Sequence, residues 1–367
     1  MTETVICLTL FAQEHITGTT IMKFQVGYQN DRRFLEYLLA HKDAVGELYF
    51  PWESFTTGRG VTLSRNDQRT LENDLHTFSE AGVKLCLLLN GNCYGREALS
   101  RQFFQKLGDT VDFIAGEYNL ASVTTASPLI GKFIHRNFPD LEVRASVNME
   151  IGTPEGVEYL AEHFDSFYLK REYNYSRDVI IRMRDFCRGC GKKLYILANS
   201  GCLNFCSART FHDNLVAHQH EIAAMDNGFK FHGICSTYMD DPVKRTALLA
   251  KSNFIRPEDT VLYEDLCDGM KLATRTNFKP FAVAKAYFDG SWNGNLLELT
   301  EPAHAEKFLP AVVANKKFPA DYAEHRFQCG KICEKCDYCA GVLAAATVTL
   351  NENNTIFYKQ IQEEKSC

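Results

Sequence analysis

No stretch of this 367-residue chain approaches the roughly 18 consecutive apolar residues that a bilayer-spanning helix needs. The opening "VICLTLFA" is apolar but short. Glu3 precedes it, and no Lys or Arg occurs before Lys23, so the basic start of a secretory leader is missing. Positive charge is not in excess: 40 Lys and Arg against 46 Asp and Glu give a net charge of −6, which draws in neither nucleic acid nor anionic lipid. The best basic patch, Arg182, Arg184, Arg188, Lys192 and Lys193, reads as ordinary cationic residues at a helix end. H-E-x-x-H and G-x-S-x-G are absent, and "HQHE" sets His218 and His220 on different helix faces. "GYQNDRRF" after the first apolar run is not G-x-G-x-x-G, so a dinucleotide-binding sheet has no support. The expectation is a cytoplasmic protein with no membrane segment.

What the chain does have is cysteine, 14 of them, on a globular background of 45% hydrophobic and 23% charged residues. In a reducing compartment clustered thiols point to metal or catalysis, not to disulfides. From Lys23 onward, strand-length apolar runs alternate with helical patterns. The predicted strands are 23–28, 47–52, 84–90, 122–127, 142–148, 166–171, 193–199 and 269–275. Helices are predicted over 32–43, 67–82, 96–118, 154–164, 177–189, 208–225 and 277–290. Eight strands, each followed by a helix-length connection, predict a TIM-like (β/α)8 barrel over 22–300 with a cysteine-rich C-terminal extension over 301–367. Residues 1–21, ahead of Met22, read as an extension of uncertain status.

In such a barrel, chemistry gathers at the C-terminal strand ends. That rule sorts the cysteines. Cys187 and Cys190 precede the seventh strand; Cys202 and Cys206 follow it. The strand puts roughly 25 Å between the pairs, so they serve different places. Cys86 and Cys267 read as core. The mouth keeps Cys93, Cys202, Cys206 and Cys235, a four-thiol set suited to a 4Fe–4S cluster or a zinc. The third position of a C-x-x-x-C-x-x-C motif starting at Cys202 falls on Arg209, so radical S-adenosylmethionine spacing is not met there. The extension holds a second set, "CGKICEKCDYC": Cys329, Cys333, Cys336 and Cys339. Four thiolates at this spacing fit a second 4Fe–4S cluster or a zinc.

The segments "YILANSGCLNFCSARTFHDNL", "HGICSTY", "FIRPEDTVLYEDLCDGMKLATRT" and "AKAYFDGSWNGNLLEL" resemble the peptidase U32 family, in its U32-like branch. The resemblance implies a TIM-like barrel. It implies a 4Fe–4S cluster at the mouth with Cys202, Cys206 and Cys235 as ligands, and an early-strand ligand that matches Cys93. It implies oxygen-independent redox or hydroxylation chemistry on a small molecule, a peptide or RNA. Where the family has E-x-F-x-x-G ahead of its first cysteine, this chain has "LYILANSG".

Catalytic expectations near the cluster are His212 as proton donor or substrate partner, Arg209 beside it, and Arg275 as one of the basic residues that hold a carboxylate. An electron-donor or other partner protein is implied. Two alternatives stand beside the redox enzyme: a U32-type peptidase, and a non-catalytic metal-stabilised scaffold or RNA-modification accessory protein.

Overall fold

The computed structural model describes residues 22–60 and 63–351. The N-terminal extension, with Cys7, and the last residues, with Cys367, lie outside these. Every expected strand forms, six of them shortened and β2 and β4 shifted two residues towards the N-terminus: β1 (Phe24–Gly27), β2 (Val45–Phe50), β3 (Leu85–Leu89), β4 (Leu120–Thr125), β5 (Glu142–Ala145), β6 (Ser166–Tyr168), β7 (Lys193–Leu197) and β8 (Gly269–Leu272). They close into a parallel barrel in chain order, with β8 returning to β1 so that Phe24 faces Met270 and Val26 faces Leu272.

Side-chain alternation divides each strand between two environments. Val26, Leu48, Leu87, Val123, Val143, Phe167, Ile196 and Leu272 are fully buried in the core shared with the helices. The alternate positions fill the barrel interior. Its lower layer is ionic. Arg144 pairs with Glu47 and, at 2.6 Å, with Glu142, and its Nε donates to Ser166 Oγ at 3.1 Å. Above this layer sit Tyr49, Cys86, Tyr168 and Tyr195, with the Arg144 guanidinium 4.3 Å from the Tyr195 ring centre.

The helices start where the sequence supplies caps. Asp31 Oδ1 accepts from Phe34 N at the head of α1 (Arg32–Ala40), and Ser64 and Asp67 form a capping box on α2 (Arg65–Glu80). Ser100 and Ser127 cap α3 (Arg101–Glu117) and α4 (Pro128–Asn137). The short α5 (Pro154–Glu158) ends well before the predicted 164. In α6 (Arg177–Gly189), Ile180, Met183 and Cys187 face the core, and Gly191 just beyond adopts a φ of +67° that ends the turn.

The connection from β7 to β8 carries α7 (Arg209–Ala217), α8 (Gln219–Ala223), α9 (Ile234–Asp240), α10 (Pro242–Arg245) and α11 (Leu248–Lys251). The single helix expected over 208–225 is broken at His218, which closes α7 and opens α8. After β8 come α12 (Pro280–Phe288) and α13 (Ala305–Phe308), then β9 (Ala311–Val313), α14 (Tyr322–Gln328), α15 (Tyr338–Ala346) and β10 (Thr347–Thr349), which pairs antiparallel with β9. Leu297, Val313, Tyr322 and Leu343 of this C-terminal part join the barrel's own core and do not form a separate one. No helix among the described residues is long and apolar enough to cross a membrane.

Candidate functional site

The turn that carries Cys202 and Cys206 is held from three sides. Buried Asn199, just past β7, accepts from Ala273 N at 2.6 Å and donates to Leu299 O at 2.7 Å. Gly201 then passes so close to Pro302 that a Cβ there would lie 2.1 Å from the Pro302 carbonyl oxygen. Between the cysteines, Phe205 takes a φ of +52°, a left-handed conformation uncommon outside glycine. Its N–H donates to Glu172 Oε1 at 3.1 Å, and that carboxylate pairs with Arg209 at 2.8 Å. Burial raises the Glu172 carboxyl, but Arg209 outweighs it and holds the group low. The Cys202–Cys206 turn is therefore pinned by a buried ion pair that reaches from the end of β6 to the first residue of α7.

Cys202 and Cys206 face a cavity of about 320 Å³ at the C-terminal end of the barrel, and Cys235 in the first turn of α9 completes its thiol lining. Gly233, at φ +79°, turns the chain so that Cys235 Sγ and His212 Cε1 both lie within 4 Å of where its Cβ would be. Arg59, Arg171, Arg209, Lys271 and Arg275 line the same space. Arg171 Nη1 donates to Cys202 Sγ at 3.4 Å, and Nη2 to Asn148 Oδ1 at 3.3 Å. Asn148 continues through Asn92 at 3.1 Å, and Asn92 reaches Asp213 at 3.5 Å. Burial pushes Cys235 up, and the thiols of Cys202 and Cys206 add to that, so the three sulfurs sense one another.

Each expected site residue now has a place. Cys202, Cys206 and Cys235 come together. His212 lines the cavity, its ring 5.5 Å from Phe231. Arg209 also lines it, but its guanidinium is engaged by Glu172, Glu150 and Leu203 O, so it positions the turn. Arg275 lies beyond the end of β8, not within the strand as expected. Its Nη2 donates to Thr57 Oγ1 at 2.8 Å, and its Nη1 has no protein partner among the described residues.

Cys93 does not line the cavity. It sits against His218, whose ring lowers the Cys93 thiol most, followed by the Gly95 N–H at 3.4 Å. His218 Nδ1 is 2.7 Å from Glu221 Oε2.

Two contributors were missed in the sequence. Arg59 stands 3.7 Å from Glu301, and Asp213 is held above the usual carboxylate range by burial, against the pull of Arg171 and Arg209. The signal for Arg59 was present: "TGRG" after the second strand is a glycine-flanked arginine at the C-terminal end of the barrel, and Gly60 has φ +59°.

The C-terminal quartet forms its own pocket. Cys329, Cys333, Cys336 and Cys339 line a cavity of about 250 Å³ with His325, Arg326 and Tyr338. Burial raises the Cys339 thiol; Arg326 opposes this, and the other three thiols add to it. Buried Arg326 donates to Asn253 Oδ1 at 2.7 Å, and Asn253 in turn donates to the Glu172 carbonyl. Hydrogen bonds thus run from Arg326, beside the tail pocket, to the backbone of Glu172, whose side chain holds the Cys202–Cys206 turn. Among the described residues, no group of three or more His, Cys, Asp or Glu side chains is arranged to hold a single metal ion.

No family model matches the chain. Over 302 residues it is 26% identical to a protein named uncharacterized protease MJ1657 of Methanocaldococcus jannaschii, covering 80% of this chain and 86% of that one. Its structure is similar to that of the U32 peptidase Mk0906, with a TM-score of 0.51 and 15% identity over 71% of this chain and 95% of the other. The TIM-like barrel and the resemblance to the U32 family are borne out.

Proposed function

We propose that this U32-like barrel is an iron–sulfur enzyme whose cluster is held at the mouth by Cys202, Cys206 and Cys235, and that it carries out oxygen-independent redox or hydroxylation chemistry on a small molecule, a peptide or RNA. The observation that carries this reading is the convergence of three thiols from two segments on one cavity ringed by guanidinium groups. The donors fit the group. Thiolates select iron–sulfur clusters and zinc, and a cubane spaces its thiolates more widely than a single ion does. Arg171, which has no acid partner among the described residues and donates to Cys202 Sγ, supplies positive charge beside thiolate ligands. When bound, the cluster supplies one-electron chemistry and, at an iron without a cysteine, room for substrate.

The protein's own residues do the rest. Arg171 orients Cys202. Arg209 fixes the turn through Glu172. His212 lines the cavity, where it can hydrogen-bond substrate, and Arg275 offers a nitrogen without a protein partner to a carboxylate. The tail quartet is a second site, for a 4Fe–4S cluster, and an electron-donor protein is the partner that such chemistry calls for. Anaerobic purification with iron, sulfide and zinc analysis tests this. The expected result is coloured protein with about four iron and four sulfide per mouth site. Colourless protein containing only zinc contradicts it.

A second reading, peptide hydrolysis, is favoured by the names of the two similar proteins and by one arrangement. Cys93, His218 and Glu221 stand in the order nucleophile, base and orienting acid. It predicts metal-independent cleavage of unstructured peptides that Cys93→Ala abolishes. Cleavage unaffected by that substitution removes the arrangement from the chemistry.

A further inference from the structure

Lys271 is on β8, where Met270 and Leu272 point to the helices and are fully buried, so alternation turns its own side chain into the barrel. It lines the mouth cavity at its inner end and is 8% exposed. Its Nζ lies 4.0 Å from the centre of the Tyr49 ring and 5.3 Å from that of Tyr168. Among the described residues no carboxylate forms an ion pair with it, whereas buried Arg144, Arg209 and Arg256 all have one. A lysine so placed keeps its amine free of a holding partner.

The charged and titratable groups around it act in opposite senses. Burial pushes Lys271 down to about 7; the Cys86 thiol acts against this, Arg275 and Arg144 act with it, and Glu47 acts against it. Near neutral pH much of it is the unprotonated amine, which is the nucleophilic form. Four residues along the same strand exit, Arg275 presents the Nη1 that lacks a protein partner. One cavity thus offers an amine and a guanidinium nitrogen without a protein partner, the two groups that a carbonyl next to a carboxylate calls for.

We propose that Lys271 captures a 2-oxo acid as an imine, with Arg275 binding the carboxylate. The amine nitrogen attacks the carbonyl carbon and forms a C–N bond. The carbonyl oxygen takes up two protons, the equivalent of those lost from nitrogen, and leaves as water, so that a C=N bond remains. No electrons are exchanged, and neither a metal nor an oxidant is required. The proposal goes beyond the iron–sulfur reading and does not rest on it.

The test uses full-length, anaerobically purified protein treated with pyruvate and sodium borohydride, which reduces an imine to a stable secondary amine. Intact mass and peptide mapping locate the adduct, and iron is measured on the same sample, so that loss of the cluster reading is recorded separately. The expected result is one adduct per chain, on Lys271. Lys271→Arg and Lys271→Met abolish it, with folding checked by circular dichroism. Arg275→Met slows trapping of pyruvate about tenfold more than it slows trapping of uncharged acetaldehyde, the excess being the lost charge-assisted contact to the carboxylate. Adducts scattered over surface lysines with Lys271 unmodified overturn the proposal, as does an adduct that persists in Lys271→Met. If both Lys271 variants fail to fold, the peptide map of the unaltered protein and the Arg275→Met comparison decide.

Discussion

The lower and upper layers of the barrel interior are both lined with charge, and they treat it in opposite ways. Below, Arg144 is matched by Glu47, Glu142 and Ser166, and Glu142 is also paired with Lys193 at 2.5 Å. Above, Arg209 and Arg59 have acid partners, but Arg171 Nε and Arg275 Nη1 lack hydrogen-bond partners among the described residues, and Lys271 stands against the Tyr49 and Tyr168 rings with no ion pair among them. A closed buried network is what folding demands, since an unmatched buried ion is costly. Open bonding capacity in a cavity is what ligand binding demands. The comparison separates structural charge from functional charge within one barrel.

The largest effect that would sharpen this contrast is at the mouth. The triple variant Cys202→Ser/Cys206→Ser/Cys235→Ser is expected to lose bound iron by about tenfold or more at that site while keeping its circular-dichroism spectrum, as removal of metal ligands requires. Next comes the lower layer. Arg144→Met strands Glu47 in the interior and is expected to cost about 3–5 kcal/mol in denaturant unfolding. Arg171→Met removes no ion pair and is expected to cost less than about 2 kcal/mol, with its main effect on iron retention. Equal losses of stability from the two substitutions would erase the distinction.

Acid provides a third test. Burial alone would raise Glu142, but Arg144 and Lys193 outweigh it and bring the group from its ordinary 4.5 to about 2. A lowered folded-state value means stability that is fully present above about pH 4.5 and is lost as pH falls towards 2. The amount is on the order of 3 kcal/mol. Glu142→Gln is expected to flatten that part of the stability profile, and an unchanged slope would show that the lower network is not what fails in acid. The smallest effect concerns the turn. Phe205 is 67% exposed and at positive φ, so Phe205→Gly is expected to stabilise the fold by up to about 1 kcal/mol. A loss instead would show that its ring anchors the mouth.

Much of the barrel was legible because β-branched and apolar runs of strand length repeat at helix-length intervals, and all eight strands fall where that pattern sets them. The top-face position of Cys202, Cys206 and Cys235 was legible for the same reason. The neighbours of Cys93 were not. The break at His218 aims that ring at Cys93, and nothing in "AHQHE" marks a break, since no glycine or proline stands there. Arg59 and Glu301 meet at the mouth although 242 positions separate them, and only closure of the barrel brings them together. The ion pairs of Arg209 were not legible, because its two carboxylate partners lie 59 and 37 positions upstream.

Whether the mouth thiols hold an iron–sulfur cluster is decided by electron paramagnetic resonance of dithionite-reduced protein, comparing the unaltered chain with the mouth triple variant and with Cys329→Ser/Cys333→Ser/Cys336→Ser/Cys339→Ser. The expected result is a reduced-cluster signal that the tail variant retains and the mouth variant loses. A signal that survives loss of the mouth thiols, or protein that carries zinc and no iron in every form, would contradict it.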